Sequence, residues 1–300
     1  MGIARRRVLW GASILIGLCL LALLAARVHR PQPSPGHPYF AGAGFLVVAH
    51  RGGRGMGPEN TLPLFREAVK AGADVLEMDV RLSLDGVLVV HHDRTVRRTT
   101  GAAGRVDSLT AVQLQALDAG FGWSRDGRNH PFRGRGYRIP RLAEVLRAFP
   151  GQRMLIELKP RRRRAAEALC GEIRGAGMQD RVAVAGFDGG TLGAFRGICP
   201  KVATSAAGGE VVAWKVLHLL GLGNLYTPEF QLFAVPERVG WLRLVDLGFA
   251  SRARERNLPV QVWTVNETAD MERLIDLGAT GILTDRPVRL LDLLREKGLR

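Results

Sequence analysis

Short apolar runs rich in Val, Ile, Leu and Ala punctuate this chain, and stretches with helical spacing of apolar positions separate them. The runs at 45–49, 75–82, 87–91, 154–158, 182–187, 201–205, 260–264 and 281–283 have the length and β-branched content of buried strands. Segments 61–71, 109–118, 142–148 and 163–175 carry the period of helices packed on one face. Strands alternating with helices predict a parallel sheet covered on both sides. The Asp85-Gly86 pair joins two of the strands by a tight reversal. A further apolar run near 230–234 brings the strand candidates to one more than an eight-stranded closed sheet needs. One of them is therefore expected to be a loop or an accessory strand.

The first residues break this pattern. Residues 8–26 form an uninterrupted apolar stretch, with Arg5, Arg6 and Arg7 before it and Arg27, His29 and Arg30 after it. At ~1.5 Å per residue such a helix just spans a hydrocarbon core of ~30 Å. The balance of flanking arginines places the N-terminus in the cytoplasm and the remainder of the chain on the outer side. The alternative is a secretory signal removed by cleavage. A membrane anchor over 1–30, a proline-rich linker over 31–43 and one globular domain over 44–300 are the expected organisation.

Charge changes the picture less than it first suggests. The 300 residues contain 43 basic and 28 acidic side chains, a formal charge of +15, and arginine supplies most of it. No helix-turn-helix, zinc-finger or RNA-recognition signature accompanies that excess, so nucleic acid is not an expected partner. Anionic lipid surfaces and phosphate-bearing substrates account for it equally well. Of three cysteines, Cys19 lies in the apolar stretch, and Cys170 and Cys199 are expected to be buried free thiols, although an exported domain could pair them.

Chemistry concentrates where the apolar runs end. His50-Arg51-Gly52, Pro58-Glu59-Asn60-Thr61, Glu77-Met78-Asp79, His92-Asp93 and Glu157-Leu158-Lys159 each stand at or just past a predicted strand. Glu77 and Asp79 are two apart and therefore share a face, as do Glu157 and Lys159. Glu77, Asp79 and Glu157 form an all-carboxylate set suited to a hard divalent cation, Mg²⁺ or Ca²⁺. His50 and His92 titrate near neutrality and suit proton transfer, whereas the adjacent His91 points to the other face and is expected to pack. Arg51 and Lys159 can neutralise phosphate oxygens or pair with nearby carboxylates. Glu59, Asn60, Asp93 and Asp285 read as residues that orient these groups, with Glu59 alternatively joining the cation, and Trp263 as an apolar wall for substrate or a core aromatic. Functional residues at the carboxyl ends of strands are the arrangement of a TIM (β/α)₈ barrel.

In their order these fragments, with Asp85-Gly86, Trp263-Thr264-Val265-Asn266 and Thr284-Asp285-Arg286-Pro287, resemble the glycerophosphodiester phosphodiesterases over roughly 45–294. The resemblance implies a TIM barrel and a cation-dependent hydrolase that releases an alcohol from glycerol phosphate. It also implies attack by a free glycerol hydroxyl on phosphorus, through a cyclic phosphate that water then opens. One departure is Gly186-Phe187-Asp188, where the family often has Ser-Phe-Asp. Glycerophosphodiesters are the expected substrates, with lysophospholipids, cleaved as by a lysophospholipase D, as the alternative. A catalytically silent binding module tethered to a membrane is the alternative from another class. Residues 211–235 are expected to form a strongly apolar helix and loop, either core or a lipid-facing lip that includes Trp214 and Leu217.

Overall fold

The computed structural model describes Trp10, Gly17, Leu18 and residues 21–300. Eight parallel strands form a ring. β1 (Leu46–Ala49), β2 (Val75–Leu82), β4 (Arg153–Leu158), β5 (Val182–Ala185), β6 (Ala203–Thr204), β7 (Phe233–Pro236), β10 (Val260–Trp263) and β11 (Gly281–Thr284) pair in the order β6-β5-β4-β2-β1-β11-β10-β7. A parallel bridge between Ser205 and Leu232 joins the two ends of that path. The supernumerary strand of the sequence pattern is β3 (Leu88–Val90), which pairs antiparallel with the far end of β2 and stays outside the ring. A second addition, the hairpin of β8 (Arg238–Val239) and β9 (Leu242–Arg243), stands directly beyond β7.

Alternation along each strand separates two apolar regions. Leu46, Val48, Val75, Leu155, Ala183, Ala203 and Leu283 meet inside the ring. Val47, Leu76, Met78, Val80, Met154 and Ile156 face the surrounding helices. Glu77 and Asp79 follow Val75 at steps of two, and Glu157 follows Leu155, so all three carboxylates belong to the inner set. The helices Leu62–Ala71, Leu142–Ala148 and Arg163–Gly175 lie where the periodicity places them. Between β3 and Leu142 the long insertion builds its own small core from Val89, Val96, Val106, Ala111, Leu114 and Ile139.

Two expectations need correction, and one open alternative is decided. A membrane-spanning anchor at 8–26 with the domain on the outer side is overturned: among the described residues no helix is long and apolar enough to cross a membrane. Most of 8–26 lies outside the described residues. The described stretch 21–28 is helical, and Ala26 is buried, its carbonyl accepting from Asn224 Nδ2 at 2.9 Å. Cys170 and Cys199 are not free thiols but a disulfide, with Cα atoms 5.8 Å apart, tying the helix Arg163–Gly175 to the end of Gly189–Ile198. Trp214 is no lip residue. It is 1% exposed, its ring centroid 5.1 Å from that of Phe233 and edge-on to Tyr226 and Phe249. The apolar excess of the helix Gly208–Leu219 goes instead to Val212, Val216 and Leu219, which face solvent.

Candidate active site

Parallel pairing of β2 and β4 sets Asp79 opposite Glu157 and Glu77 opposite Leu155. One carboxylate oxygen from each of Glu77, Asp79 and Glu157 lies within 4.8 Å of the others. Two cations answer part of this negative charge. Lys159 Nζ bridges Asp79 at 2.9 Å and Glu157 at 2.7 Å. Arg51 donates from Nη1 to Glu59 at 2.9 Å and places Nε 3.4 Å from Asp79.

The three acids are not equivalent. Burial, and then the adjacent Asp79, pushes the Glu77 carboxyl well above the usual carboxylate range. Burial also lifts Glu157, against the opposing pull of Lys159. Asp79 is buried too, yet Lys159 and Arg51 outweigh that burial and hold it below its ordinary value. Asn60 adds a hydrogen bond from Nδ2 to Asp79 at 3.0 Å.

The loop after β1 is shaped to make these contacts. Arg51 and Asn60 both adopt positive φ, +50° and +58°, a conformation non-glycine residues hold only when their surroundings compel it. That turn aims the Arg51 backbone N–H at Glu77 Oε2, 2.7 Å away. Gly52 follows at φ +84°, where a Cβ would stand 2.9 Å from the Phe65 ring. No side chain fits there.

Each of the two histidines is backed by a carboxylate. His50 Nδ1 lies 2.6 Å from Asp285 Oδ1, and His92 Nδ1 lies 2.6 Å from Asp93 Oδ1. Asp285 also accepts from Arg54 Nε at 2.9 Å and from Asn266 Nδ2 at 2.9 Å. Although burial opposes it, this company brings its carboxyl down to about 2. Partial burial moves His92 below the usual imidazole value despite the pull of Asp79. His91 turns away, buried, with Nε2 3.2 Å from the Thr95 carbonyl. Trp263 is half-buried at the end of β10 and meets Phe187 edge to face, centroids 5.8 Å apart.

Glu59 does not join the acidic cluster; Arg51 and Arg98 hold it. Arg98 escaped the sequence reading, yet it grips Glu59 with two nitrogens at 2.7 Å and Asp93 with a third at 2.7 Å. Its partner Glu59 is 39 residues away and no local spacing announces the pair. Arg54, Phe187 and Asn266 were likewise unassigned. Asn266 had a signal, its place in the Trp263-Thr264-Val265-Asn266 motif.

A closed α/β barrel with acids, imidazoles and a lysine at the carboxyl ends of its strands has the site position and the side chains of a barrel hydrolase. Comparison with known proteins narrows the class. The model of the glycerophosphoryl diester phosphodiesterase family matches residues 50–289. A glycerophosphodiester phosphodiesterase from Caldanaerobacter subterraneus subsp. tengcongensis is 31% identical over 260 residues, covering 84% of this chain and 99% of that one. A human lysophospholipase D is 29% identical, over 82% of this chain and 85% of its own. A crystal structure from Silicibacter pomeroyi, assigned to the same class of enzyme, superposes with a TM-score of 0.74 at 28% identity, covering 88% of this chain and 99% of that one. The chain belongs to the glycerophosphoryl diester phosphodiesterase family and is an enzyme of that class.

Proposed function

We propose that this chain hydrolyses glycerophosphodiesters to glycerol phosphate and an alcohol, with a divalent cation at Glu77, Asp79 and Glu157 and with His50 and His92 transferring protons. The observation that carries this is the meeting, at one end of the barrel, of three clustered carboxylates with two carboxylate-backed imidazoles.

The acidic cluster suits a cation. Glu77 is deeply buried, and burial first, then repulsion from Asp79, raises its carboxyl above the usual range. A cation would relieve that repulsion, and an all-oxygen donor set accepts Mg²⁺ or Ca²⁺ without deciding between them. When bound, the ion supplies Lewis-acid polarisation of a phosphoryl oxygen.

The protein's own groups do the rest. With Asp285 accepting from Nδ1–H of His50 and Asp93 from that of His92, each ring turns Nε2 outward as its free basic nitrogen. One histidine takes the proton of the free glycerol hydroxyl as that oxygen bonds to phosphorus. The other, protonated, gives its proton to the departing alcohol oxygen as the P–O bond breaks. The product is a cyclic phosphate. Water then opens it with the two roles reversed, leaving glycerol phosphate. Lys159 stands where it can contact a non-bridging phosphate oxygen. Arg51 is engaged with Glu59 and Asp79, and its part is to shape the acidic cluster. Trp263 and Phe187 offer the glycerol or alcohol portion an apolar wall.

A second substrate class, lysophospholipids, is favoured by apolar side chains above the barrel. The hairpin beyond β7 exposes Trp241 at 90% and Val239 at 59%, and Phe187 is 58% exposed. Activity is tested by incubating the protein and Mg²⁺ or Ca²⁺ with a panel of water-soluble glycerophosphodiesters and lysophospholipids, and identifying both products. Glycerol phosphate and free alcohol from the soluble diesters are the expected products. Absence of turnover on the whole panel would favour a binding module. Replacing Trp241 by Ser should depress lysolipid turnover alone if that second class is used.

A further inference from the structure

A cleft of about 550 Å³ opens beside the histidine–aspartate pair, and four arginines line it: Arg54, Arg125, Arg286 and Arg289. Three separate segments of the chain bring them together. Arg54 follows β1, Arg125 belongs to the long insertion after β3, and Arg286 and Arg289 follow β11. The first and the last leave the carboxyl ends of ring strands, and the insertion belongs to the connection that leaves the carboxyl end of β2, so all three lie at the end of the barrel that carries the acidic cluster.

The loops are tied to one another. Trp123 of the insertion donates from Nε1 to the Arg54 carbonyl at 2.8 Å. The Gly55 N–H donates to the Asp285 carbonyl at 3.0 Å, and a Cβ on Gly55 would come within 2.7 Å of that oxygen. The cleft is linked to the proposed proton-transfer group through one carboxylate. Arg54 Nε and His50 Nδ1 meet on the same oxygen of Asp285.

Charge in this cleft is unbalanced. Asp285 is shared between Arg54, His50 and Asn266, and the exposed Glu267 serves both Arg286 and Arg289. Arg125 has no ion-pair partner among the described residues. The helix Pro287–Glu296 begins at the same wall with no side chain capping it, so the positive end of its dipole faces this way too. Met56, Trp123 and Val288 supply apolar wall between the charges. Four guanidiniums against two shared carboxylates form a receptor for an anion, and a fork of donors fits phosphate best.

We infer that this cleft selects glycerophosphodiesters whose alcohol carries a second phosphate, holding that phosphate while the diester sits at the acidic cluster. The inference rests on the hydrolytic function proposed above. It adds the identity of the alcohol, which neither the acidic cluster nor the histidines address.

The test compares two substrates that differ only at the far end: glycerophosphoglycerol, whose alcohol is neutral, and the same diester bearing a terminal phosphate. Loss of the diester ³¹P resonance follows both without interference from the shared product. The phosphorylated diester should have a kcat/KM about tenfold the higher at low salt, and should lose that advantage as salt screens the exposed charges. Arg125→Gln combined with Arg286→Gln should bring the two substrates to within about twofold of each other. Turnover of the neutral diester by this variant reports that the fold is intact. Equal kcat/KM for both substrates with the unmodified protein, or a variant that slows both alike, would overturn the cleft's role and leave the hydrolytic function standing. Turnover of neither substrate would overturn both.

Discussion

Asp285 supports His50 from outside the acidic cluster, so replacing it by Asn separates the orientation of the imidazole from the binding of a cation. Its carboxylate accepts from His50, Arg54 and Asn266 and has a pKa near 2 against an ordinary 3.8. A depressed carboxylate contributes stability above its unfolded pKa, and that contribution disappears as pH falls through the folded value. The window here is roughly pH 4 down to pH 2. At 1.36 kcal/mol per unit, and discounted for partial solvent access, Asp285 is worth about 1–2 kcal/mol near pH 7. For a domain of this size that is a fall in Tm of about 3–6 °C in Asp285→Asn. The catalytic effect should be larger. Loss of a hydrogen bond to a charged group costs about 1.5–3 kcal/mol, and kcat should fall about 10- to 100-fold. KM should stay within about threefold, because no substrate contact is assigned to this carboxylate. Steady-state rates of glycerol phosphate release, with melting curves at pH 7 and near pH 2, measure both. A variant with unchanged kcat, or one that loses KM and kcat together with gross unfolding, would refute the orienting role.

His92→Ala should lower kcat about 100-fold or more, while His91→Ala should cost stability and little turnover; the reverse pattern in the two kcat values would overturn the assignment. Glu172 is raised to about 7 by burial, and one of its oxygens has no hydrogen-bond partner. The folded chain therefore keeps a proton that the unfolded chain releases, so stability declines as pH rises from about 4.5 to 7. Glu172→Gln should stabilise by about 1–2 kcal/mol at pH 8 and by little at pH 4; equal Tm shifts at both would contradict this. Removing the Cys170–Cys199 link, separated by 29 residues, with Cys170→Ser and Cys199→Ser should cost about 3–4 kcal/mol, read from urea unfolding, and a thiol assay on the unfolded native protein should detect Cys19 but neither Cys170 nor Cys199.

The sheet and the convergence of its charged side chains were legible because both depend on a period of two. Val75, Glu77 and Asp79, and then Leu155 and Glu157, fall on one face of their strands whatever the loops do. The pairing of β2 with β4 then brings the faces together. His91 and His92 also diverge, although both lie just past the end of β3, where alternation no longer applies. What was not legible depends on distance in sequence. Arg98 reaches Glu59 and Asp93 from a short helix in the insertion, and the four arginines of the cleft come from three separate segments. The surplus strand could be counted but not identified, because apolarity alone does not distinguish β3 from a ring strand. Trp214 shows the same limit in a helix. Its apolar neighbours allowed either core or surface, and only Phe233 and Phe249, from other elements, make it core. The apolar N-terminal stretch suggested a spanning helix, whereas the described part of it ends against Asn224.

The most direct measurement of the central claim is the rate of glycerol phosphate release from a soluble glycerophosphodiester as divalent cation is withdrawn and restored. The protein is first depleted with excess chelator, then titrated with Mg²⁺ or Ca²⁺, in parallel with Glu77→Gln. Activity should vanish on depletion and return saturably with one of the ions, and Glu77→Gln should respond only at much higher concentration or not at all. Full activity in the depleted protein, with no metal retained by elemental analysis, would contradict the role assigned to Glu77, Asp79 and Glu157.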